Sequence, residues 1–281
     1  MNLKRNYLKY ILVFFFYSFY HKSYMKLISW NVNGLRACFN KGALFEMLDT
    51  VNPDLLFIQE TKCQPDQIPF ELENPRGYFS DYHSAQKKGY SSVAVFTKRE
   101  PLQIFKKIGI DEFDNEGRVI GVEFNDHISF GVYFPNGQQS EDRLDYKLRF
   151  YSAFFDYCKE LKDFYKKPLF ISGDYNTAHT EIDLARPKEN QNISGFLPIE
   201  RQWLDKLIND YGYVDTFRLF NDQKDQYSWW TYRANARARN IGWRIDYVFA
   251  DKDAQKMISD GFILQHVKGS DHCPVGITIN S

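Results

Sequence analysis

An α/β fold is predicted by two features of the 281-residue sequence. Short apolar runs bounded by turn-forming residues recur along the chain, and such runs are typical of buried β-strands. Between them lie segments whose apolar residues recur at helical spacing, the strongest being 145–161. With 43% hydrophobic residues, the chain can bury a sizeable core, and its length suits one large domain or two small ones.

The predicted elements follow one another without an internal repeat or a low-complexity linker after residue 25. Strands are predicted at 27–30, 54–58, 91–97, 119–124, 128–134, 169–172, 245–249 and 275–279. Helices are predicted at 43–51, 145–161 and from Pro198 to a stop at Gly212. The apolar face of 145–161 indicates core packing rather than a binding surface.

The charge and the cysteine content limit which partners and which redox compartment the protein can have. The chain carries 36 basic and 36 acidic residues, and this neutral total does not exclude a nucleic-acid partner because the distribution of charge matters more. The four cysteines form neither a CxxC pair nor a zinc-like spacing. Scattered thiols indicate a reducing, intracellular setting, so we expect a cytoplasmic protein.

The first 24 residues differ from the rest of the chain. Basic residues precede an apolar run at 11–20, which resembles a signal peptide but is too short to span a bilayer and lacks a small-residue cleavage site. Met25 then opens a strand directly. We hypothesise that residues 1–24 are a disordered extension or reflect a mis-assigned start, with a targeting signal or peripheral anchor as the alternative. Residues 25–281 are expected to form a single domain.

The segment 168–177 contains the clearest chemical signal. A buried strand ends at Gly173 and is followed by Asp174 and Asn176, which project from the same side of extended chain. A carboxylate beside a carboxamide supplies oxygen ligands and N–H donors, which suits a divalent cation together with a phosphate oxygen. In isolation the same residues could simply close a turn.

Other strands also finish in polar residues. The residues at or just beyond strand ends are Asn31, Glu60, Tyr133, Asn136, Asp174 and Asn176, while Asp246, Asp271 and His272 flank two further strands. If these strands share one sheet system, their ends meet along one rim and form an acid-lined pocket. Converging carboxylates need a cation, and oxygen ligands favour magnesium or manganese.

An aromatic segment near the carboxyl end is followed by arginines. Trp229 and Trp230 precede the four arginines Arg233, Arg237, Arg239 and Arg244, and the next acidic residue is Asp246. Aromatic rings and arginines together suit a nucleic-acid surface, since arginine contacts phosphates and flat rings stack against bases. The alternative is that the tryptophans belong to the core and the arginines to a solvated face, although charges of one sign repel each other without a partner.

Six motifs, in order, resemble those of the exonuclease III family of abasic-site endonucleases. They lie at 30–36, 59–62, 133–137, 173–176, 240–247 and 269–274. Each motif alone is weak, and six in register over about 25–279 are specific. Asn33 stands where some relatives carry an acid, so we leave it out of the expected metal site.

The resemblance implies a four-layer αββα sandwich, in which two mixed β-sheets are flanked by helices and the active site lies at one rim. It implies that Mg²⁺, or Mn²⁺ in its place, is bound chiefly by Glu60 with Asn31 and Asp271, and that Asp174, Asn176 and His272 share this site. The catalytic residues would be Tyr133, Asp174, Asn176, Asp246 and His272.

The resemblance also implies a role for each catalytic residue. Asp174 would activate water or protonate the leaving group, and Asn176 would orient the nucleophile and stabilise the transition state. His272 would hydrogen-bond the scissile phosphate or act as base, with its tautomer set by Asp246. Tyr133 would contact the phosphate as phenol or phenolate. Substrate contacts would come from Asn136, which positions the phosphate, Trp229 and Trp243, which bound the sugar pocket, and Arg233, which inserts near the lesion.

The activity implied is metal-dependent hydrolysis 5′ to abasic sites in duplex DNA, accompanied by 3′→5′ exonuclease and 3′-end trimming. The partner would be duplex DNA with abasic sites or blocked 3′ ends, without membrane attachment, and the protein a monomer. One alternative is a phosphoesterase of the same fold acting on RNA, a phospholipid or an inositol phosphate. Another is a catalytically silent DNA-binding relative, which would have no need of the complete set of catalytic residues.

Overall fold

The computed structural model describes residues 24–73, 75 and 77–280. The predicted extension therefore lies, except for Tyr24, outside the described residues. The strands are, in chain order, β1 (Tyr24–Asn31), β2 (Leu55–Gln59), β3 (Phe79–His83), β4 (Val93–Thr97), β5 (Gln103–Phe105), β6 (Val119–Glu123), β7 (Ile128–Tyr133), β8 (Leu169–Asp174), β9 (Val214–Asp215), β10 (Asp246–Ala250), β11 (Ile258–Ile263) and β12 (Val275–Asn280). The α-helices are α1 (Leu35–Asn40), α2 (Ala43–Val51), α3 (Phe70–Glu73), α4 (Asp111–Asp114), α5 (Glu141–Tyr165), α6 (Pro187–Asn190), α7 (Pro198–Asn209) and α8 (Lys252–Gln255).

Two mixed sheets of six strands each are formed by the described residues. The first has the order β11-β12-β1-β2-β4-β3 and the second the order β5-β6-β7-β8-β10-β9. Near the centre of each sheet two strands run parallel, β1 with β2 and β7 with β8, while the other neighbours are antiparallel. Asn31, Glu60, Tyr133 and Asp174 lie at or just beyond the carboxyl ends of these four strands.

Hydrophobic contacts form between the two sheets and on the outer face of each sheet. These three contact regions separate four layers, namely helices, sheet, sheet and helices. Between the sheets, Leu27 and Phe57 of the first pack with Phe170 and Val248 of the second. The outer face of the second sheet packs against α5 and α7, and that of the first packs against α1 and α2. The predicted four-layer αββα sandwich of two mixed sheets is confirmed.

Helix α5 is longer at both ends than its apolar periodicity predicts. Ser140 caps its first turn by accepting a hydrogen bond from the Arg143 backbone N–H at 3.2 Å, and Lys166 ends it in a left-handed conformation. The added first turn begins with the charged residues Glu141, Asp142 and Arg143, and in the added last turn Phe164 is 79% exposed, so neither extends the buried apolar stripe. Within the described residues, no helix, α5 included, is long and apolar enough to cross a membrane.

The strands that the sequence did not predict lie at the edges of the sheets. They are β3, β5, β9 and β11. An edge strand has one hydrogen-bonded neighbour and more exposure, so its residues need not be uniformly apolar. Strand β3, for example, exposes Phe79 and only half buries the rest.

Candidate active site

Sheet register brings the predicted polar residues to one rim. In the second sheet Tyr133 pairs with Asp174, which pairs in turn with Asp246, across β7, β8 and β10. In the first sheet Asn31 lies opposite Gln59 at the ends of β1 and β2. The Asn31 amide Nδ2 donates to Asp174 Oδ2 at 2.9 Å, so the two sheets meet at this rim.

A cavity of about 850 Å³ opens at the rim and collects most of the predicted site residues. Those that line it are Glu60, Tyr133, Asn136, Asp174, Asn176, Trp229, Arg233, Trp243, Asp271 and His272. The remaining two, Asn31 and Asp246, are buried and contact Asp174 and His272, respectively. Residues separated by more than 200 positions thus share one polar site.

Asp174 is buried and held by amide donors. Its Oδ1 accepts from the backbone N–H of Asn176 at 2.8 Å, and its Oδ2 accepts from Asn31. Burial, together with the charge of Asp246, raises the pKa of Asp174 to about 7. In this setting the carboxyl can exchange a proton near neutral pH, and a cation in the cavity would favour its ionised form.

His272 is paired with a second carboxylate. Its Nδ1 lies 2.8 Å from Asp246 Oδ2, which also accepts from Ser228 Oγ at 2.6 Å. Burial opposes protonation, but the charge and hydrogen bond of Asp246 outweigh it and raise the pKa of His272 to about 10. The imidazole is therefore held as a cation whose Nε2 lies 3.9 Å from Asp174 Oδ2.

Tyr133 is held as a neutral phenol. Burial raises the pKa of Tyr133 well above its ordinary value, and the carboxylates of Glu60 and Asp174 add to the effect. The guanidinium of Arg118 opposes the shift from 4.8 Å above the ring and donates to the Tyr133 carbonyl. The phenolate considered from the sequence is thus disfavoured, because its charge would be buried beside two acids.

Glu60 and Asn176 occupy strained backbone positions. Their φ angles are 55° and 50°, in the left-handed region that side-chain-bearing residues rarely adopt. Such strain is concentrated at functional sites, where surrounding contacts enforce it. The Glu60 side chain remains 18% exposed toward the cavity, with Lys62 Nζ 3.4 Å from its Oε1.

The two asparagines beyond β7 and β8 orient each other. Asn136 Nδ2 donates to Asn176 Oδ1 at 3.0 Å, while Asn176 Nδ2 donates to the Phe134 carbonyl at 2.9 Å. The donors of Asn176 are therefore engaged by protein, and its Oδ1 retains capacity to accept from a small ligand such as water.

Asp271 is ionised and well supplied with donors. Its Oδ1 accepts from Asn33 Nδ2 at 3.0 Å, and its Oδ2 accepts from Trp229 Nε1 at 3.1 Å. Burial opposes ionisation, but the charge of His272 and these hydrogen bonds lower the pKa of Asp271. Asn33, excluded from the expected site, instead supports Asp271 from the cavity wall.

The described residues include a group that could hold a metal ion. Ligand atoms of Asp174, Asp246 and His272 lie within 4.8 Å of one another. Because the imidazole Nδ1 and an Asp246 oxygen already bond each other, this trio is better described as an imidazole between two carboxylates. Glu60 and Asp174 line the same cavity and Asn31 contacts Asp174, so the rim offers the oxygen groups that a hard divalent cation prefers.

The aromatic wall of the cavity is made by Trp229 and Trp243. Their rings meet edge-on, with centroids 6.4 Å apart and an interplanar angle of 85°. Both face the cavity, while the neighbouring Trp230 is buried. The core alternative therefore holds for Trp230, while Trp229 and Trp243 present part of their surface to the cavity.

The arginines that follow the tryptophans do not form one charged surface. This corrects the expectation that all four belong to a nucleic-acid surface or to a solvated face. Arg244 is buried, with its Nε 2.8 Å from Asp183 and its Nη2 2.6 Å from Asp215. Arg237 donates to backbone carbonyls of the loop that precedes Asp271. These acidic and carbonyl partners lie far away in sequence, so inspection of the segment alone misses them. Arg233 is exposed and lines the cavity.

Ser228 and Lys147 support the site and were missed from the sequence. Ser228 donates a hydrogen bond to Asp246, but a single serine in a loop does not indicate such a contact in the sequence. Lys147 donates to the backbone of the Asn176 loop. The sequence did contain a signal for Lys147, because it lies on the apolar stripe of α5, four residues before Tyr151 and seven before Phe154. A lysine in such a stripe indicates a buried, paired cation.

Comparison with known proteins agrees with this architecture. Residues 28–272 match the model of the endonuclease/exonuclease/phosphatase family. The chain is 46% identical to an exodeoxyribonuclease of Bacillus subtilis, over 91% of the chain and 100% of the relative. It is 41% identical to the DNA repair nuclease APEX1 of Danio rerio, over 89% of the chain and 81% of that protein.

A solved structure extends the agreement to three dimensions. The AP endonuclease LMAP of Leishmania major superposes with a TM-score of 0.81 at 28% identity, covering 92% of this chain and 88% of that one. The family match, the relatives and the shared fold lead to one conclusion. The chain belongs to the exonuclease III family of abasic-site endonucleases, within the endonuclease/exonuclease/phosphatase family.

Proposed function

We propose that this protein is a DNA repair nuclease that hydrolyses the phosphodiester bond 5′ to an abasic site in duplex DNA. We further propose 3′→5′ exonuclease and 3′-end-trimming activities at the same site. Residues 25–281 would form its single catalytic domain, acting as a cytoplasmic monomer without membrane attachment. Relatives named exodeoxyribonuclease and DNA repair nuclease support this assignment.

One observation carries the proposal. A cavity at the sheet rim is lined by Glu60, Asp174 and His272, and the imidazole is bonded to Asp246 on its far side. Phosphodiester hydrolysis needs a base for water, donors for the non-bridging oxygens and compensation for developing charge. These three requirements correspond to the chemical groups in the cavity.

We infer that Glu60, Asn31 and Asp271 would hold a magnesium ion at this rim, beside Asp174. When bound, the ion would supply positive charge to the phosphate oxygens as they become more negative. Manganese would substitute because it also prefers oxygen ligands.

The side chains of the chain would divide the remaining work. Ionised Asp174 would accept a proton from the attacking water, which Asn176 would orient through its Oδ1. The charged His272 would donate Nε2–H to a non-bridging oxygen, and the neutral Tyr133 would donate its phenol hydrogen to the phosphate. Water oxygen would then bond phosphorus, the bond from phosphorus to the 3′ oxygen would break, and that oxygen would take up a proton from solvent water, while Asp174 would release the proton that it accepted back to solvent.

The wall of the cavity suits a sugar without a base. Trp229 and Trp243 would bound the extruded abasic sugar, and Asn136 would hold Asn176 in register with the phosphate. Extruding an abasic nucleotide disrupts less stacking than flipping a normal one. Arg233, exposed at the cavity, would contact the opened duplex.

The test is incision of a labelled duplex that contains one abasic site, with magnesium and then with chelator. We expect a metal-dependent nick 5′ to the lesion, and Asp174→Asn should reduce turnover about a hundredfold or more. The matched control is Asp163→Asn, an exposed carboxylate on α5, which should retain wild-type turnover.

Three outcomes separate the competing functions. A nick at the abasic site supports the repair nuclease, whereas hydrolysis restricted to RNA, phospholipid or inositol phosphate would replace it with a different phosphoesterase. Duplex binding without any hydrolysis would indicate the catalytically silent relative. Full activity of Asp174→Asn would remove the role proposed for that carboxylate.

A further inference from the structure

A buried ion pair joins α5 to α7 behind the cavity. Lys147 and Glu200 are both fully buried, and Nζ lies 2.6 Å from Oε1. The same ammonium donates to the Asn176 carbonyl at 2.8 Å and to Thr177 Oγ1 at 2.7 Å. Its three N–H groups therefore all have acceptors, and one of these is the backbone of a predicted catalytic residue.

Glu200 fixes a second loop that lines the cavity. Its Oε1 also accepts from Ser194 Oγ at 2.9 Å, and its Oε2 accepts from the backbone N–H groups of Gly195 at 2.6 Å and Leu197 at 3.1 Å. Ser194 and Gly195 line the cavity. The ion pair thus connects the Asn176 loop to the neighbouring loop that carries Ser194 and Gly195.

The two connected loops are in close contact. A side chain at Gly195 (φ 99°) would place its Cβ 3.2 Å from both the Asn176 carbonyl and the Trp243 ring, so only glycine fits there without displacement. The Ala178 N–H also donates to the Gly195 carbonyl at 2.8 Å. A shift of either loop would therefore move Asn176 relative to the sugar pocket.

We propose that Lys147, balanced by Glu200, is a positioning residue that holds Asn176 in its left-handed conformation for hydrolysis. This inference rests on the role proposed above for Asn176. Lys147 cannot touch DNA, because its side chain is fully enclosed. It acts through the Asn176 backbone, so its removal should change turnover rather than substrate affinity.

The decisive variant is the double substitution Lys147→Met with Glu200→Gln. Removing one partner alone would leave an unpaired buried charge and endanger folding, whereas removing both charges avoids this. Glutamine keeps an oxygen for the Gly195 and Leu197 N–H groups. On abasic duplex, we expect kcat to fall about tenfold or more while KM stays within about twofold.

A third substitution distinguishes positioning from a general structural role. In an Asn176→Ala background the double substitution should reduce kcat by less than about twofold, because the side chain that it positions is already gone. An equal loss in both backgrounds, or wild-type kcat in the double variant, overturns the inference. Wild-type kcat in Asn176→Ala alone overturns the proposed role of Asn176, and this inference with it.

Lys162→Met is the matched control. Lys162 lies on the same helix about 22 Å from Lys147 and pairs with Asp251 and Asp253 at 2.7 and 2.9 Å. Its loss removes two ion pairs of α5 without touching the Asn176 loop. We expect kcat within about twofold of wild type, and a loss as large as that of the double variant would overturn the inference.

Discussion

Asp246 and Asp174 face the imidazole of His272 from opposite sides. Asp246 Oδ2 lies 2.8 Å from Nδ1, whereas Asp174 Oδ2 lies 3.9 Å from Nε2. The first contact is a hydrogen bond, and the second leaves the Nε2–H available to the cavity. One ring nitrogen is thus occupied by the protein while the other faces the place where a phosphate would dock.

Asp246→Asn should therefore disrupt both the charge and the orientation of His272. Without the carboxylate, only Asp174 and Asp271 would still oppose the effect of burial, so the pKa of His272 should fall well below about 10. We expect turnover on abasic duplex to fall about a hundredfold. Titration of the histidine ring by NMR and steady-state kinetics measure the two effects.

Asp205→Asn controls for the loss of an aspartate beside a histidine. Asp205 contacts His179 Nε2 at 2.8 Å on an exposed part of the surface. Turnover of Asp205→Asn should equal that of wild type. An unchanged His272 titration in Asp246→Asn would contradict the account of this pair.

Arg233→Ala should weaken DNA binding and its dependence on salt. Arg233 is the exposed arginine of the aromatic segment that lines the cavity, and a contact with one phosphate releases about one counterion. The slope of log Kd against log salt should become shallower by about 0.9. Arg239→Ala, an exposed neighbour that does not line the cavity, should change it less, and identical slopes for both variants would argue against the contact.

Gly173→Ala should destabilise the rim directly below Asp174. Gly173 has a φ of 150°, and an added Cβ would lie 1.9 Å from the Val132 carbonyl oxygen on the neighbouring strand. We expect a loss of about 3 kcal/mol or more in the free energy of unfolding, measured in urea.

Gly109→Ala provides the comparison for that substitution. Gly109 also has positive φ, at 88°, but an added Cβ would meet nothing within 4 Å. Backbone strain alone should cost about 1 kcal/mol there. Equal losses at the two glycines would mean that close strand packing does not explain Gly173.

Asp183 should contribute to stability in a pH-dependent way. Burial opposes its ionisation, but Arg244 and Arg218 outweigh burial and hold the pKa of Asp183 well below its usual range. The native state therefore binds this proton less tightly than the unfolded chain. The resulting stability should be complete above about pH 5 and be lost as the pH falls below about 4.

Asp183→Asn should remove that dependence. At pH 7 it should lower the free energy of unfolding by about 3 kcal/mol, because Arg244 loses one of two buried partners. Between about pH 5 and 3 its stability should change less steeply than that of wild type. Parallel pH profiles of the two proteins, measured by urea denaturation, would contradict the assignment.

The positions of the site residues could be predicted because they follow central strands. Asn31, Glu60, Tyr133 and Asp174 each come at or after the end of an apolar run, and neighbouring strand ends meet at one rim. Roles were harder to predict than positions. The neutral phenol of Tyr133 and the charged imidazole of His272 depend on burial and on neighbours that only the folded chain brings together.

The remaining features depend on long-range pairing that local sequence does not encode. Arg244 finds its acids 61 and 29 residues away, and Lys147 finds Glu200 53 residues away. The four edge strands each have one hydrogen-bonded neighbour and are more exposed than central strands. Their residues therefore show weak hydrophobic patterns. The left-handed conformation of Glu60 is enforced by its surroundings rather than by residue type, whereas asparagine is a residue type that tolerates this conformation at position 176.

The central claim is that Asp174 and His272 act as one unit on one phosphate, and a double-mutant cycle tests it most directly. Single-turnover incision of abasic duplex would be measured for Asp174→Asn, His272→Asn and the double variant. We predict a large loss for each single variant and a combined loss far smaller than their product, since groups that act together are non-additive. Losses that multiply fully, or a single variant with wild-type rate, would contradict the account.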